Sequence, residues 1–133
     1  MVASVVRFRI DFAEHSSVEP GKIRLLEAMR DAGSLSQGAR NIGMSYRRAW
    51  LLVESLRQSF REPVTVASTG GKDGGGMLVT ELGDALIRNY RELERGFATL
   101  AERRLHPVIA TVRQSKSGAK YRYARSLSKR QRV

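Results

Sequence analysis

A chain of 133 residues is long enough for one domain with a modest core, and 41% hydrophobic residues are enough for it to fold. It contains no cysteine, which excludes disulfides and thiolate metal sites and suits a cytoplasmic protein. Its apolar runs are too short to span a bilayer, no charged-then-apolar signal segment opens it, and so no membrane partner is expected. The net charge of +11 is unevenly placed: residues 1–103 carry 15 Lys+Arg against 13 Asp+Glu, whereas residues 104–133 carry nine and no acid.

From Val5 to Phe12 the chain alternates strictly, with Val6, Phe8, Ile10 and Phe12 on one side and Arg7, Arg9 and Asp11 on the other. That period of two predicts a half-buried strand, which needs partners later in the chain. Glu14 to Glu19 reads as a polar connector ending at Pro20-Gly21. A first helix is predicted from Pro20 to Ala32, with Ile23, Leu26 and Met29 at helical spacing and Gly33 just past its end. A short second helix follows, capped by Ser34, closed by Gly43 and burying Leu35, Ala39 and Ile42. Ala39 suits a close helix crossing.

The third helix opens on Ser45, whose hydroxyl can accept from N–H groups left unpaired at a helix start. Ala49, Val53, Leu56 and Phe60 recur at four, three and four residues and draw one apolar stripe. The other face begins with Tyr46, Arg47 and Trp50, with Arg48 at its edge. An arginine gains nothing from the dipole at a helix N-terminus, so cations and aromatics there make sense if that end points at a polyanion. An ordinary surface helix with Trp50 half-buried against a neighbour is the plainer reading. Two short helices, a glycine-containing turn and a third helix with a basic start form the helix-turn-helix pattern, which lays the third helix in the major groove of double-stranded DNA. The candidate DNA-binding residues are Ser34, Ser36, Ser45, Tyr46, Arg47, Arg48 and Trp50, with Arg47 the best suited to bridge O6 and N7 of a guanine.

Pro63–Ser68 and Met77–Thr80 are predicted as strands joined by Gly70-Gly-Lys-Asp-Gly-Gly-Gly76, and the N-terminal strand is expected to join their sheet. A phosphate-cradling P-loop fails on spacing, because Lys72 is followed by Asp73 and three glycines rather than by Ser/Thr at a helix start. The loop reads instead as a flexible hairpin tip with Lys72 reaching the nucleic-acid backbone, or as a loop with no partner. Thr80 then caps a long helix on which Leu86, Tyr90, Leu93, Phe97 and Leu100 are spaced four, three, four and three. That heptad seam predicts a homodimer through those five residues. The alternative is that it folds back over the first helix in a monomer. His106-Pro107 is expected to end this helix. Val108–Val112 could form a strand or pack on the dimer, and the Ser/Lys/Arg-rich remainder is expected to be a poorly ordered basic tail, either an arm on nucleic acid or merely solubilising.

Gly33-Ser-Leu-Ser-Gln-Gly-Ala-Arg-Asn-Ile-Gly-Met-Ser-Tyr-Arg-Arg-Ala-Trp50 resembles the N-terminal DNA-binding domain of the ModE molybdate-responsive regulators, and the Gly70–Gly76 loop before Leu78-Val-Thr80 is similar to the Gly-rich wing of that family. More distantly, the three-helix plan resembles LysR-type regulators. The resemblance implies a winged helix-turn-helix that dimerises through a long helix: mainly α with a small antiparallel sheet. The expected domain is 1–103, with its dimerisation helix over 80–103 and the tail over 104–133. Complete members continue into a C-terminal molybdate-binding domain. The 30 residues after Arg103 are too few for such a barrel, so no cofactor is expected and control by protein amount or by an effector protein in trans is anticipated.

A catalyst is hard to build from this composition. His15 and His106 fall in connectors far apart, no carboxylate pair sits in an apolar setting, and no histidine pair has metal-ligand spacing. The sequence therefore reads as a DNA-binding regulator and not as an enzyme. The competing reading is a protein-interaction adaptor that uses Trp50 and Leu51 as an apolar patch. RNA binding is weaker still, for want of an aromatic stacking platform.

Overall fold

A computed structural model of the chain describes residues 4–68 and 76–113. It is mainly helical with two small antiparallel sheets: β1 (Ile10–Ala13), β2 (Ser16–Val18), α1 (Pro20–Ala32), α2 (Leu35–Asn41), α3 (Tyr46–Ser59), β3 (Thr65–Ser68), β4 (Gly76–Val79) and α4 (Glu81–Ile109). Three helices, a hairpin and a long helix in that order make an α+β winged-helix plan. Among the described residues, those from Arg7 to Glu92 belong to one compact unit, and residues 4–6 with 93–113 belong to a second.

Within the first unit the local signals decide the helix ends. Pro20 opens α1 at its first turn, and Gly33 closes it with φ 76°, donating its N–H to the Met29 carbonyl. The Ser34 and Ser45 hydroxyls cap α2 and α3, each accepting a 3.2 Å hydrogen bond, from the Gln37 and Arg48 backbone N–H groups. Thr80 caps α4 by accepting from Gly83 N–H at 3.2 Å, and its own hydroxyl donates to the Pro63 carbonyl at 2.7 Å.

One layer of core joins α1, α2 and α3 through Leu25, Met29, Leu35, Ala39, Ala49 and Val53. A second joins α1, α3 and α4 through Leu26, Leu56, Val64 and Ile87, and a third gathers Val18, Ile23 and Tyr90 with Phe8. The closest helix approach falls at Gly38, one residue before the expected Ala39. A Cβ there would lie 2.9 Å from the Met29 backbone nitrogen. Ala39 is buried beside it.

The expected sheet does not form. Among the described residues β1 pairs with β2 across the two-residue Glu14-His15 turn, and β3 pairs only with β4, in the register Thr65 to Val79. The segment read as a polar connector therefore contains a strand, because Ser16–Val18 can fold back locally with little loop to close. The free edge of β4 is taken elsewhere: Met77 N–H donates to the Gly33 carbonyl at 2.9 Å and Gly76 bridges to Ser34. Alternation holds from Val5 to Ile10 and fails at Phe12, which is exposed, because the β1–β2 register shifts between Asp11 and Ala13. An added residue of this kind moves the following side chains to the other face.

In the second unit the helical segment from Leu93 passes through His106 and Pro107 to Ile109, so His106 lies in a helix and not in a connector. Proline removes only its own donor, which one further turn tolerates. The Ala110 N–H returns to the His106 carbonyl and the Thr111 N–H to Val108. Val108 is thus helical rather than part of a strand.

Candidate nucleic-acid interface

The site is built on α2, the Ile42–Met44 turn and the first two turns of α3. Gly43, at φ 68°, makes the turn, and Met44 N–H returns to the Ala39 carbonyl at 2.9 Å. Buried Ala49, Val53 and Leu56 fix the rotation of α3 about its axis, and this leaves Tyr46, Arg47 and Trp50 facing outwards. Trp50 keeps 49% of its surface exposed and Leu51 53%. Arg48 leans instead towards the first turn of α1: its guanidinium lies 3.9 Å from where a Cβ on Gly21 would stand.

Electrostatically the region is one-sided. No acidic residue occurs between Asp31 and Glu54, a stretch that holds Arg40, Arg47 and Arg48. Glu54, the first carboxylate on α3, is gripped by Arg57 through two hydrogen bonds, Nε to Oε2 at 2.9 Å and a second to Oε1. Those bonds hold the Glu54 carboxylate below its ordinary range despite partial desolvation and raise Arg57. The Glu54 charge is therefore neutralised within its own helix.

Ser34 and Ser45 are engaged as caps, while Ser36 and Tyr46 line one cleft of about 420 Å³ together with Arg40 and Met44. Arg40 had no signal in helical periodicity; the absence of acids around it is the sequence feature that marks it. Lys72 and the glycine-rich tip lie outside the described residues, as does the tail from Gln114 onwards.

The heptad seam divides. Tyr90 is 2% exposed, which takes it off an intermolecular surface, and Leu86, partly buried, packs against the same cluster. Leu93, Phe97 and Leu100 are 40%, 41% and 47% exposed. Among the described residues no group of three or more His, Asp or Glu is arranged to hold a metal, and no helix is long and apolar enough to cross a membrane.

A chain built as a winged helix whose second helix and the start of whose third carry arginines and no acid can be set beside known proteins. No family model matches it. It is similar to ModE and Mop proteins of bacteria. The ModE of Azotobacter vinelandii, a molybdenum transport protein, is 30% identical over 99 residues, 74% of this chain and 37% of that one. The molybdenum-pterin-binding protein MopB of Rhodobacter capsulatus is 40% identical over 79 residues, 59% of this chain and 29% of that one. The DNA-binding transcriptional dual regulator ModE of Escherichia coli is 39% identical over 72 residues, 54% and 28% respectively. The chain matches roughly a third of the length of these relatives.

Proposed function

We propose that this chain is a ModE-like transcription regulator that binds double-stranded DNA sequence-specifically, as a dimer on an inverted repeat. The observation that carries the reading is the acid-free run between Asp31 and Glu54, whose arginines flank the exposed N-terminal face of α3. A polyanion is the partner such a face fits. In this reading the first turn of α3 enters the major groove, Arg47 meets a guanine edge, Trp50 contacts base methyls or sugars, and Tyr46 lies beside them at the helix start. The regulator names of the ModE relatives support it. Exposed Leu93, Phe97 and Leu100 supply the apolar face for a second copy, which sets two recognition helices about 34 Å apart. Selection of bound fragments from random duplex DNA tests the reading: it predicts an enriched inverted repeat, and recovery of unrelated sequences would reject it.

A second reading is favoured by the exposure of Trp50 and Leu51, which could dock a protein as an adaptor. Salt separates the two. Phosphate binding weakens steeply as salt is added, whereas an apolar contact does not.

A further inference from the structure

We infer that the cleft between α2 and the start of α3 seats a single DNA phosphodiester, held by the Arg40 guanidinium and by the hydroxyls of Ser36 and Tyr46. The inference rests on the DNA-binding reading and adds to it the group that fixes how α3 is set in the groove.

Three observations converge. The cleft is lined by Ser36, Arg40, Met44 and Tyr46, so that side chains bearing a cation and two hydroxyls border an open space of about 420 Å³, room for one phosphate and its ester oxygens. Among the described residues the one hydrogen bond of the Arg40 guanidinium is a long 3.4 Å contact to the Gln37 side-chain oxygen, which leaves most of its five-donor fork available, and the Ser36 and Tyr46 hydroxyls have no hydrogen bond. Among the described residues Arg40 forms no ion pair, and Glu54, the next acid along the chain, is paired with Arg57.

The placement also follows from the backbone. Arg40 and Ser36 are four apart on α2 and share one face, while Tyr46 is the first residue of α3. The Gly43 turn and the Met44 N–H bond to the Ala39 carbonyl hold the two helices in a set relation. An anion gripped at both helices is therefore held at a fixed distance from Arg47 and Trp50, and this converts a sequence-independent contact into register. Met44 lines the cleft without adding charge.

The test uses the full chain and its selected duplex. Arg40→Ala should weaken binding about tenfold on every sequence alike and lower the slope of log K against log salt by about one per bound protomer; Arg40→Lys should keep the slope. Single neutral methylphosphonate substitutions are then walked along the duplex. At one position in each half-site the substitution should weaken the wild type about tenfold, yet leave Arg40→Ala binding unchanged. Arg40 is exposed, so equal thermal midpoints should exclude misfolding as the cause; if the midpoint falls, Ser36→Ala is read at the same methylphosphonate position. An unchanged salt slope in Arg40→Ala, or a changed base preference, overturns the clamp while leaving the regulator reading intact. Wild-type protein that binds no duplex, or binds without salt dependence, overturns both.

Discussion

The phenolic hydroxyl of Tyr90 donates to the Phe8 backbone carbonyl at 2.7 Å, and the two rings stack with centroids 4.3 Å apart and planes 18° from parallel. One side chain of α4 thus ties down the segment that leads into β1, 82 residues earlier in the chain. The same contact withdraws a heptad position from any second copy.

Tyr90→Phe should therefore keep the stacking and lose the hydrogen bond, leaving the Phe8 carbonyl without this partner. A loss of about 1 kcal/mol is expected by denaturant titration. The sedimentation coefficient should not change. A shift in association state would return Tyr90 to the intermolecular seam.

Leu93→Glu together with Phe97→Glu should behave in the opposite way. Both residues are exposed within their own chain, so the fold should survive while an apolar face for a partner is destroyed. Monomers are expected by sedimentation at concentrations where the unaltered protein is dimeric. A persistent dimer would move the interface elsewhere.

Arg47→Ala should cost about 1–3 kcal/mol in duplex binding and relax the preference at one base position. Competition between the preferred duplex and its single-base variants reads this directly. A uniform loss on all sequences would make Arg47 a phosphate contact instead.

Gly38→Ala opposes two effects. Alanine gains up to about 1 kcal/mol of helix propensity, but its methyl would lie 2.9 Å from the Met29 nitrogen and 3.1 Å from the Ala28 carbonyl carbon. Backbone atoms cannot rotate away, so overpacking should win and the protein should lose about 1–2 kcal/mol. Thermal denaturation checks it, and an unchanged or higher midpoint would show that α1 and α2 separate freely.

Molybdate should neither bind these 133 residues by themselves nor alter their DNA affinity. Among the described residues no buried side-chain nitrogen or oxygen lacks a partner, so no enclosed set of donors awaits a small free oxyanion, and the donors of the Arg40 cleft stand exposed to water. Calorimetric titration decides the point. Micromolar heat, or a change in DNA affinity selective over sulfate, would reveal a site and place control within this segment.

The sequence by itself determined the elements whose signals are local. Pro20 and Gly33 bound α1, Ser34, Ser45 and Thr80 cap the next three helices, and the period of Ala49, Val53 and Leu56 chose the face of α3 that is buried. These depend on atoms within a turn or two, and so does the outward setting of Tyr46, Arg47 and Trp50. Tertiary structure alone decided which strand edges meet and which half of a long apolar seam is spent on the chain's own core. The edge of β4 went to Gly33 and Ser34, since a strand accepts any backbone that reaches it with free N–H and C=O groups. Tyr90 and Leu93 stand three residues apart in one heptad pattern, yet one is buried and the other is not. Periodicity specifies a face of a helix, but where along that face the packing ends depends on which neighbours the fold brings to it.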